Sequence, residues 1–156
     1  MRRKDREVTD PQKIRDVIRK CKCCRVGFCD RGQVYIVPLN FGYEQNDGED
    51  VFYFHGAKEG RKIELIRQSP EVGFEMDTDH ELVEGDIACQ YTARFLSVIG
   101  NGVISMVTET EEKKKGLSII MEHNTGKRDW SFDERMLEAV AVFKIVVKEM
   151  SCKEHL

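Results

Sequence analysis

Apolar residues recur with the helical period in three longer segments of the chain. The segments are residues 11 to 21, 63 to 68 and 108 to 124. The last begins with the Thr-x-x-Glu spacing of a capping box. Ser69-Pro70 ends the second, because a residue before proline avoids the helical conformation. Asp133 is expected to cap a further short helix.

Most other segments have the extended pattern of strands. The predicted strands are residues 26–28, 34–37, 51–55, 72–76, 89–107 and 139–147. Asp30-Arg31-Gly32 joins the first two as a hairpin, and Gly100-Asn101-Gly102 predicts a bend within the long fifth strand. Pro38 cannot donate to a ladder, so the residues after it belong at a bulge, a strand switch or an edge. The acidic residues 75 to 86 are predicted to form a solvated connection.

These elements predict one mainly β domain that covers residues 1 to 156. Only residues 51 to 76 form a strand-helix-strand unit, whereas a doubly wound α/β fold needs several. About six strands with hairpin turns and corner glycines, surrounded by peripheral helices, fit a small Greek-key-like barrel better.

Composition argues against several classes of protein. The formal net charge is −3, from 25 basic and 28 acidic residues, and a protein that binds nucleic acid or a membrane surface usually shows a basic face instead. No apolar run approaches the roughly 18 residues of a membrane span, and the charged N-terminus is unlike a signal peptide. We therefore expect a cytoplasmic protein with reduced cysteines.

One stretch, His55 to Lys62, links a predicted strand to a predicted helix. Lys58, Arg61 and Lys62 would lie at or near the helix start, where the macrodipole disfavours cations. A bound anion such as phosphate would offset this, because free N–H groups at a helix start favour anions and basic side chains add charge-assisted hydrogen bonds. The alternative is a solvated basic helix end, and the stretch alone does not decide between the two.

Four cysteines lie close together in sequence: Cys21, Cys23, Cys24 and Cys29. Their C-x-C-C-x4-C spacing is not a usual zinc pattern and no second ligand pair follows, so we expect ordinary thiols and no metal. Asp77, Asp79 and His80 could also ligate a metal, although an acidic surface loop is the stronger default.

Three separated motifs carry a family resemblance: Phe52 to Leu65, Ser69 to Val72 and Arg94 to Gly100. Together they resemble the pyridoxamine 5'-phosphate oxidase-like family, and within it the Nim-type flavoproteins linked to nitroimidazole reduction. The resemblance covers nearly the whole chain. It implies a split β-barrel that binds flavin mononucleotide (FMN) across a homodimer interface.

The resemblance also implies a set of cofactor-binding residues. Gly60-Arg61-Lys62 stands where the oxidases carry Ser-Arg-Lys, whose basic pair holds the FMN phosphate. His55, Gly56 and Ala57 match the loop beside the phosphate and ribityl chain. Leu39, Asn40 and Phe41 match the segment along the isoalloxazine edge. Ser97, Val98 and Gly100 match the strand that approaches the flavin, in part from the partner subunit.

Two departures from the oxidases bear on the reaction. Phe95 replaces a Gln that helps to hold the flavin, and the C-terminus lacks the Trp and the Arg-Leu motif that grip the pyridoxal ring and its phosphate. We therefore expect an FMN-dependent oxidoreductase that passes electrons from a reduced nicotinamide or similar donor to a small acceptor such as a nitroaromatic. The alternatives are an FMN carrier, a flavin redox sensor or a haem-binding relative.

Two further features are open at this point. His55 is a candidate catalytic residue, because Nim-type proteins carry a histidine in this loop; the alternative is a histidine packed at a strand end. Residues 123 to 132, which include His123 and Trp130, could form a lid over a substrate, and the alternative for Trp130 is a packing anchor.

Overall fold

The computed structural model describes residues 3–155 and contains one antiparallel sheet of eight strands with four α-helices around it. The strands are β1 (Glu7–Val8), β2 (Cys24–Asp30), β3 (Gln33–Leu39), β4 (Gly42–Asn46), β5 (Glu49–Gly56), β6 (Glu71–Val83), β7 (Thr92–Val107) and β8 (Ala141–His155). The helices are α1 (Pro11–Lys20), α2 (Arg61–Gln68), α3 (Thr110–Thr125) and α4 (Glu134–Ala139), and single 3₁₀ turns lie at Lys4–Arg6 and Ala88–Gln90.

The strand order is β3-β2-β6-β7-β8-β5-β4, with β1 added to β8. Consecutive strands β3 and β4 therefore lie at opposite ends of the sheet and do not pair with each other in the described part of the chain. The chain crosses between them at Asn40 and Phe41, directly after Pro38. Of the three alternatives predicted from this proline, the structure shows a strand that lies at an edge and a switch after it, and the barrel is split rather than closed.

Two short hairpins are fixed by local chemistry. Arg31-Gly32 joins β2 to β3 and Asp47-Gly48 joins β4 to β5, and all four residues have positive φ, between 49° and 86°. Two-residue loops of this type twist in the same sense as the strands they join. They set the register of both hairpins.

The sheet has two packed sides. The main core fills the inside of the barrel with residues such as Phe28, Phe52 and Phe143. A second cluster lies where α3 covers the outer side of β4, β5 and the start of β8, and it includes Tyr53 and Leu117. Within residues 3–155 no helix is both long and apolar enough to cross a membrane.

The outer side of β2, β3, β6, β7 and the end of β8 is different, and we call it the open face. Its residues lie in two rows of the register: Ile36, Gly27, Gly73, Asn101 and Glu149, then Pro38, Arg25, Glu75, Ile99 and Ser151. None of these residues is buried. One large area of the barrel is therefore bare in a single chain.

Several predicted boundaries were wrong. Strand β6 runs to Val83, so most of the acidic segment predicted as a connection is paired strand, and β8 continues to His155. Long-range pairing with β7 extends both strands beyond their apolar residues. Glu109, rather than Thr108, caps α3 through the N–H groups of Glu111 and Glu112. The bulge predicted near Gly100 is confirmed, at Asn101/Gly102.

Gly42 allows β4 to lie directly against α3, and this contact is testable. A Cβ at this position would lie 2.5 Å from the backbone nitrogen of Ile120 and 2.6 Å from the carbonyl carbon of Ile119. Backbone atoms cannot move aside as a flexible side chain can, so we expect Gly42→Ala to lower the free energy of unfolding by about 1–3 kcal/mol. Urea unfolding measures this change.

Gly27→Ala is the matched control. A Cβ at Gly27 would meet its nearest atoms at 3.7 and 3.8 Å, an ordinary contact distance. This variant should be neutral or slightly stabilised, because alanine restricts the unfolded chain. Equal stability of the two variants would contradict the close approach of β4 to α3.

Candidate functional site

The start of α2 is an uncapped helix terminus at the end of β5. Gly60 precedes the helix with a φ of 116°, and no side chain caps it. The Gly60 carbonyl accepts hydrogen bonds from the backbone N–H groups of Ile63 at 3.0 Å and Glu64 at 3.2 Å. The preceding N–H groups, those of Arg61 and Lys62, have no intrahelical acceptor. They are donors available to a ligand.

Lys62 folds back over the end of β5. A Cβ at Gly56 would lie 2.8 Å from the Lys62 Nζ, so glycine is what makes room for this ammonium. The same nitrogen lies 6.0 Å from the centre of the Phe143 ring. Lys62 has no ion-pair partner in the part of the chain that the structure describes. Its charge is therefore held at the strand end without a carboxylate to balance it.

Arg61 is held from two sides. Its Nε and Nη2 donate to Oδ2 of Asp30 at 3.2 and 2.8 Å, and its guanidinium carbon lies 4.2 Å from the centre of the Tyr35 ring. The hydrogen bonds from Arg61 keep the pKa of Asp30 below its ordinary value, so this carboxylate is charged. The guanidinium is about half exposed, and in residues 3–155 its Nη1 is not engaged.

His55 is the residue of β5 next to Gly56, and it is exposed. Partial burial of the ring, and then the nearby ammonium of Lys62, lower its pKa from the ordinary value of 6.5. The imidazole is therefore neutral at pH 7. With Gly56, Ala57, Gly60, Arg61 and Lys62 it belongs to one connected strand-loop-helix region.

The segment Leu39-Asn40-Phe41 lies elsewhere in the chain's fold. Leu39 pairs with Cys24 at the opposite end of the β2–β3 hairpin from Asp30, a separation of about 20 Å along the strand. Asn40 donates to the Lys22 carbonyl at 3.1 Å. Phe41 is fully buried, and its carbonyl accepts a hydrogen bond from Asn124 at 3.0 Å.

Ser97, Val98 and Gly100 are also far from the start of α2 within one chain. His55 pairs with Val142, which pairs with Val107, and Ser97 lies ten residues farther along β7, up to about 33 Å away. The Val98 side chain is fully buried in the core. Ser97 projects from the opposite side of the strand and is partly exposed.

The close approach at Gly100 is made by the protein itself. A Cβ at this position would lie 2.5 Å from the Phe74 ring and 2.9 Å from the Met150 side chain. Packing of β7 against β6 and β8 is thus sufficient to explain this glycine.

Two residues of the α2 site were missed by sequence reasoning. Asp30 was assigned only to a turn and Tyr35 only to a strand. The predicted hairpin of β2 and β3 already places Asp30 and Tyr35 near each other. It does not predict that this end of the hairpin contacts α2. Such a contact depends on long-range packing.

The four cysteines near residue 21 lie in different environments. Cys21 and Cys24 are buried, whereas Cys29 is exposed, and burial raises the pKa of Cys21 to about 12. No group of three His, Cys, Asp or Glu residues with metal-binding geometry occurs within residues 3–155.

The candidate lid residues have structural contacts. Nε2 of His123 lies 2.8 Å from the Cys21 carbonyl oxygen, and the His123 ring centre lies 4.4 Å from that of Phe41, with the two rings tilted by 45°. Trp130 is 40 % exposed and donates to the Lys127 carbonyl at 2.8 Å. These contacts tie both side chains to their immediate surroundings.

The fold is that of the FMN-binding split β-barrels, with an uncapped helix start after the end of β5. A family model described as pyridoxamine 5'-phosphate oxidase matches residues 10–154. The chain belongs to this family. A search of curated proteins gives no significant match.

Solved structures of other proteins share this fold. The chain is 34% identical to a Bacteroides thetaiotaomicron protein named for a proposed role in 5-nitroimidazole antibiotic resistance, with a TM-score of 0.81 over 94% of this chain and 85% of the other. An FAD- and haem-binding protein from Mycobacterium smegmatis has a TM-score of 0.82 at 13% identity, over 96% and 73% of the two chains. A flavocytochrome from Azotobacter vinelandii has a TM-score of 0.80 at 19% identity, over 100% and 72%.

Proposed function

We propose that this chain is an FMN-binding oxidoreductase that acts as a homodimer. The observation that carries the proposal is the start of α2, where the basic residues Arg61 and Lys62 follow Gly60 directly and no side chain caps the helix. FMN, when bound, supplies the electron-transfer chemistry. The chain's own residues bind it, orient it and limit access to it.

The donors at this site fit a phosphate monoester. Lys62 contributes an ammonium above Gly56, the first turn of α2 contributes backbone N–H groups, and Arg61 contributes the N–H groups that Asp30 does not use. Helix starts favour anions, and each charge-assisted hydrogen bond strengthens the contact. Asp30 and Tyr35 hold the guanidinium in place before a ligand arrives.

The surroundings of Arg61 favour a mononucleotide over a dinucleotide. Beyond the guanidinium an open groove is lined by Asp30 and Glu64 as well as Arg31. The guanidiniums of Arg31 and Arg61 balance these two carboxylates, so the groove offers no net positive charge to a second phosphate. This is a reason to propose FMN for the chain rather than FAD.

A homodimer would bring the two halves of the proposed cofactor site together. Ser97 and its neighbours on β7 are too far from α2 to share a ligand within one chain, but the same residues of a second copy could do so. The open face offers an uncovered surface for that copy. Leu39, Asn40 and the backbone of β7 keep their proposed role along the isoalloxazine ring in this arrangement.

The proposed acceptor is a small oxidant such as a nitroaromatic compound. The name of the Bacteroides relative, at 34% identity, supports this class. The electron donor is a reduced nicotinamide or a similar compound. Neutral His55, at the edge of the site, can accept a proton at pH 7.

Charge reversal at Arg61→Glu and Lys62→Glu together should strip the flavin from a folded protein. Losing the charge-assisted contacts and adding two carboxylates should weaken FMN binding by at least about 100-fold. The absorbance spectrum of the purified variant, compared with its circular dichroism, measures both flavin content and folding.

The matched control reverses two exposed cations outside this region, Lys127→Glu with Arg135→Glu. This variant changes the net charge equally and should keep the flavin of the wild type. If the Arg61/Lys62 variant purifies with full flavin occupancy, the phosphate assignment is wrong.

Steady-state kinetics separates an enzyme from a flavin carrier or sensor. We expect NADH or NADPH to reduce the bound flavin and a nitroaromatic to reoxidise it with saturable turnover. His55→Ala should retain the flavin and lose at least about tenfold in turnover if His55 moves a proton. A wild-type protein with bound flavin but no saturable turnover would establish a carrier, and full turnover in His55→Ala would end the catalytic role of His55.

A further inference from the structure

Strands β6 and β7 continue past the barrel as a two-stranded arm, residues 79–94. After the pair Thr78–Leu96 the register shifts, and pairing resumes from Glu81–Arg94 to Val83–Thr92. In the described part of the chain, β7 pairs only with β6 over this length, since its last partner on β8 faces Phe95. No residue from Asp79 to Arg94 is buried. Its base contacts its own chain through Lys20, which donates to Asp79 at 2.9 Å, and through His155, whose Nδ1 lies 2.6 Å from the Ala93 carbonyl oxygen. The rest of the arm is exposed to solvent.

The arm carries large apolar side chains in solvent. Leu82 is 64% exposed, Ile87 57% and Tyr91 46%. Exposed apolar side chains are ordinary when scattered singly, whereas three within ten residues of one exposed hairpin are the kind of feature that marks an interaction surface.

The arm continues the open face of the barrel. Leu82 is paired with Ala93, and alternate residues of β7 from Ala93 onward, namely Phe95, Ser97 and Ile99, project to the same side. Ile99 is 49% exposed. The arm and the open face thus share one side of β7, on which Phe95 and Ile99 are apolar and Ser97 between them is polar.

The charges of the open face fit a second copy of the same chain. Arg25 of β2 contacts Glu75 and Asp77 of β6. Lys153 and Glu149 lie on β8, on the other side of β7. Both signs are interspersed, and a two-fold contact requires a surface that is complementary to itself. A nucleic acid or a strongly charged partner would instead require an excess of one sign.

The size of the open face also indicates that the arm takes part. Five strands about 4.8 Å apart span about 19 Å, and a strand of the length of β2 is about 23 Å long, which gives roughly 440 Å². A stable interface buries about 800 Å² per partner. The face alone falls short of this area. The arm supplies further apolar surface beyond the edge of the barrel.

We infer that the arm, residues 79–94, docks on a second copy of this chain and extends the interface formed by the open face. The inference rests on the homodimer of the proposed function and names the segment that completes it. The partner covers Leu82, Ile87 and Tyr91, and the arm of the partner makes the same contact in return.

Sedimentation equilibrium of Ile87→Asp tests this inference, with Met136→Asp as the matched control. Met136 lies on α4 and is 52% exposed, close to the value for Ile87. We expect the dimer dissociation constant of Ile87→Asp to rise at least tenfold, because a carboxylate would be buried without a partner, and that of Met136→Asp to stay within twofold of the wild type. Thermal unfolding at a concentration where all three proteins are monomeric verifies that folding is unchanged.

Photo-cross-linking gives a second readout. With p-benzoylphenylalanine at position 87, irradiation of the purified protein should give a covalent dimer, and the same replacement at position 136 should not. A wild-type dimer that is unchanged by Ile87→Asp and gives no cross-link from position 87 overturns the role of the arm while the homodimer stands. A wild-type protein that is monomeric at all concentrations overturns both, and its flavin content shows separately whether cofactor binding survives.

Discussion

The close approach of the Lys62 side chain to the backbone of Gly56 is the contact on which the proposed site depends. Glycine at position 56 leaves space beside the backbone for the ammonium at the end of β5, and the uncapped start of α2 leaves its N–H groups for a ligand. Strand β5 positions Gly56, and helix α2 positions Lys62 and the free N–H groups. Both are anchored in the core, through Phe54 of β5 and Ile63 of α2.

Charge balance around this contact explains how the chain folds without a ligand. Asp30 shares the guanidinium of Arg61 and stays ionised because those hydrogen bonds lower its pKa. Exposed ion pairs contribute little net stability, so a phosphate can take over part of the guanidinium without a large loss. Lys62 has no such partner among the described residues, so its ammonium is available to a ligand anion.

Local signals in the sequence predicted much of this arrangement. Asp10 caps α1 by accepting from the Gln12 N–H at 3.0 Å, Gly126 ends α3 with a φ of 73°, and the strand-turn-helix around Gly60 forms as expected. Contacts between distant segments were not predictable in the same way. The acidic residues of β6 resemble a loop until β7 pairs with them, and no local pattern shows that Asp30 meets Arg61 or that Val98 faces the core.

The most direct test of the central claim compares the binding of FMN and riboflavin, which differ only in the phosphate. Fluorescence titration of the flavin-free protein gives both dissociation constants. If Arg61, Lys62 and the start of α2 hold the phosphate, FMN binds at least about 100-fold more tightly. Equal affinities for the two flavins would contradict the account.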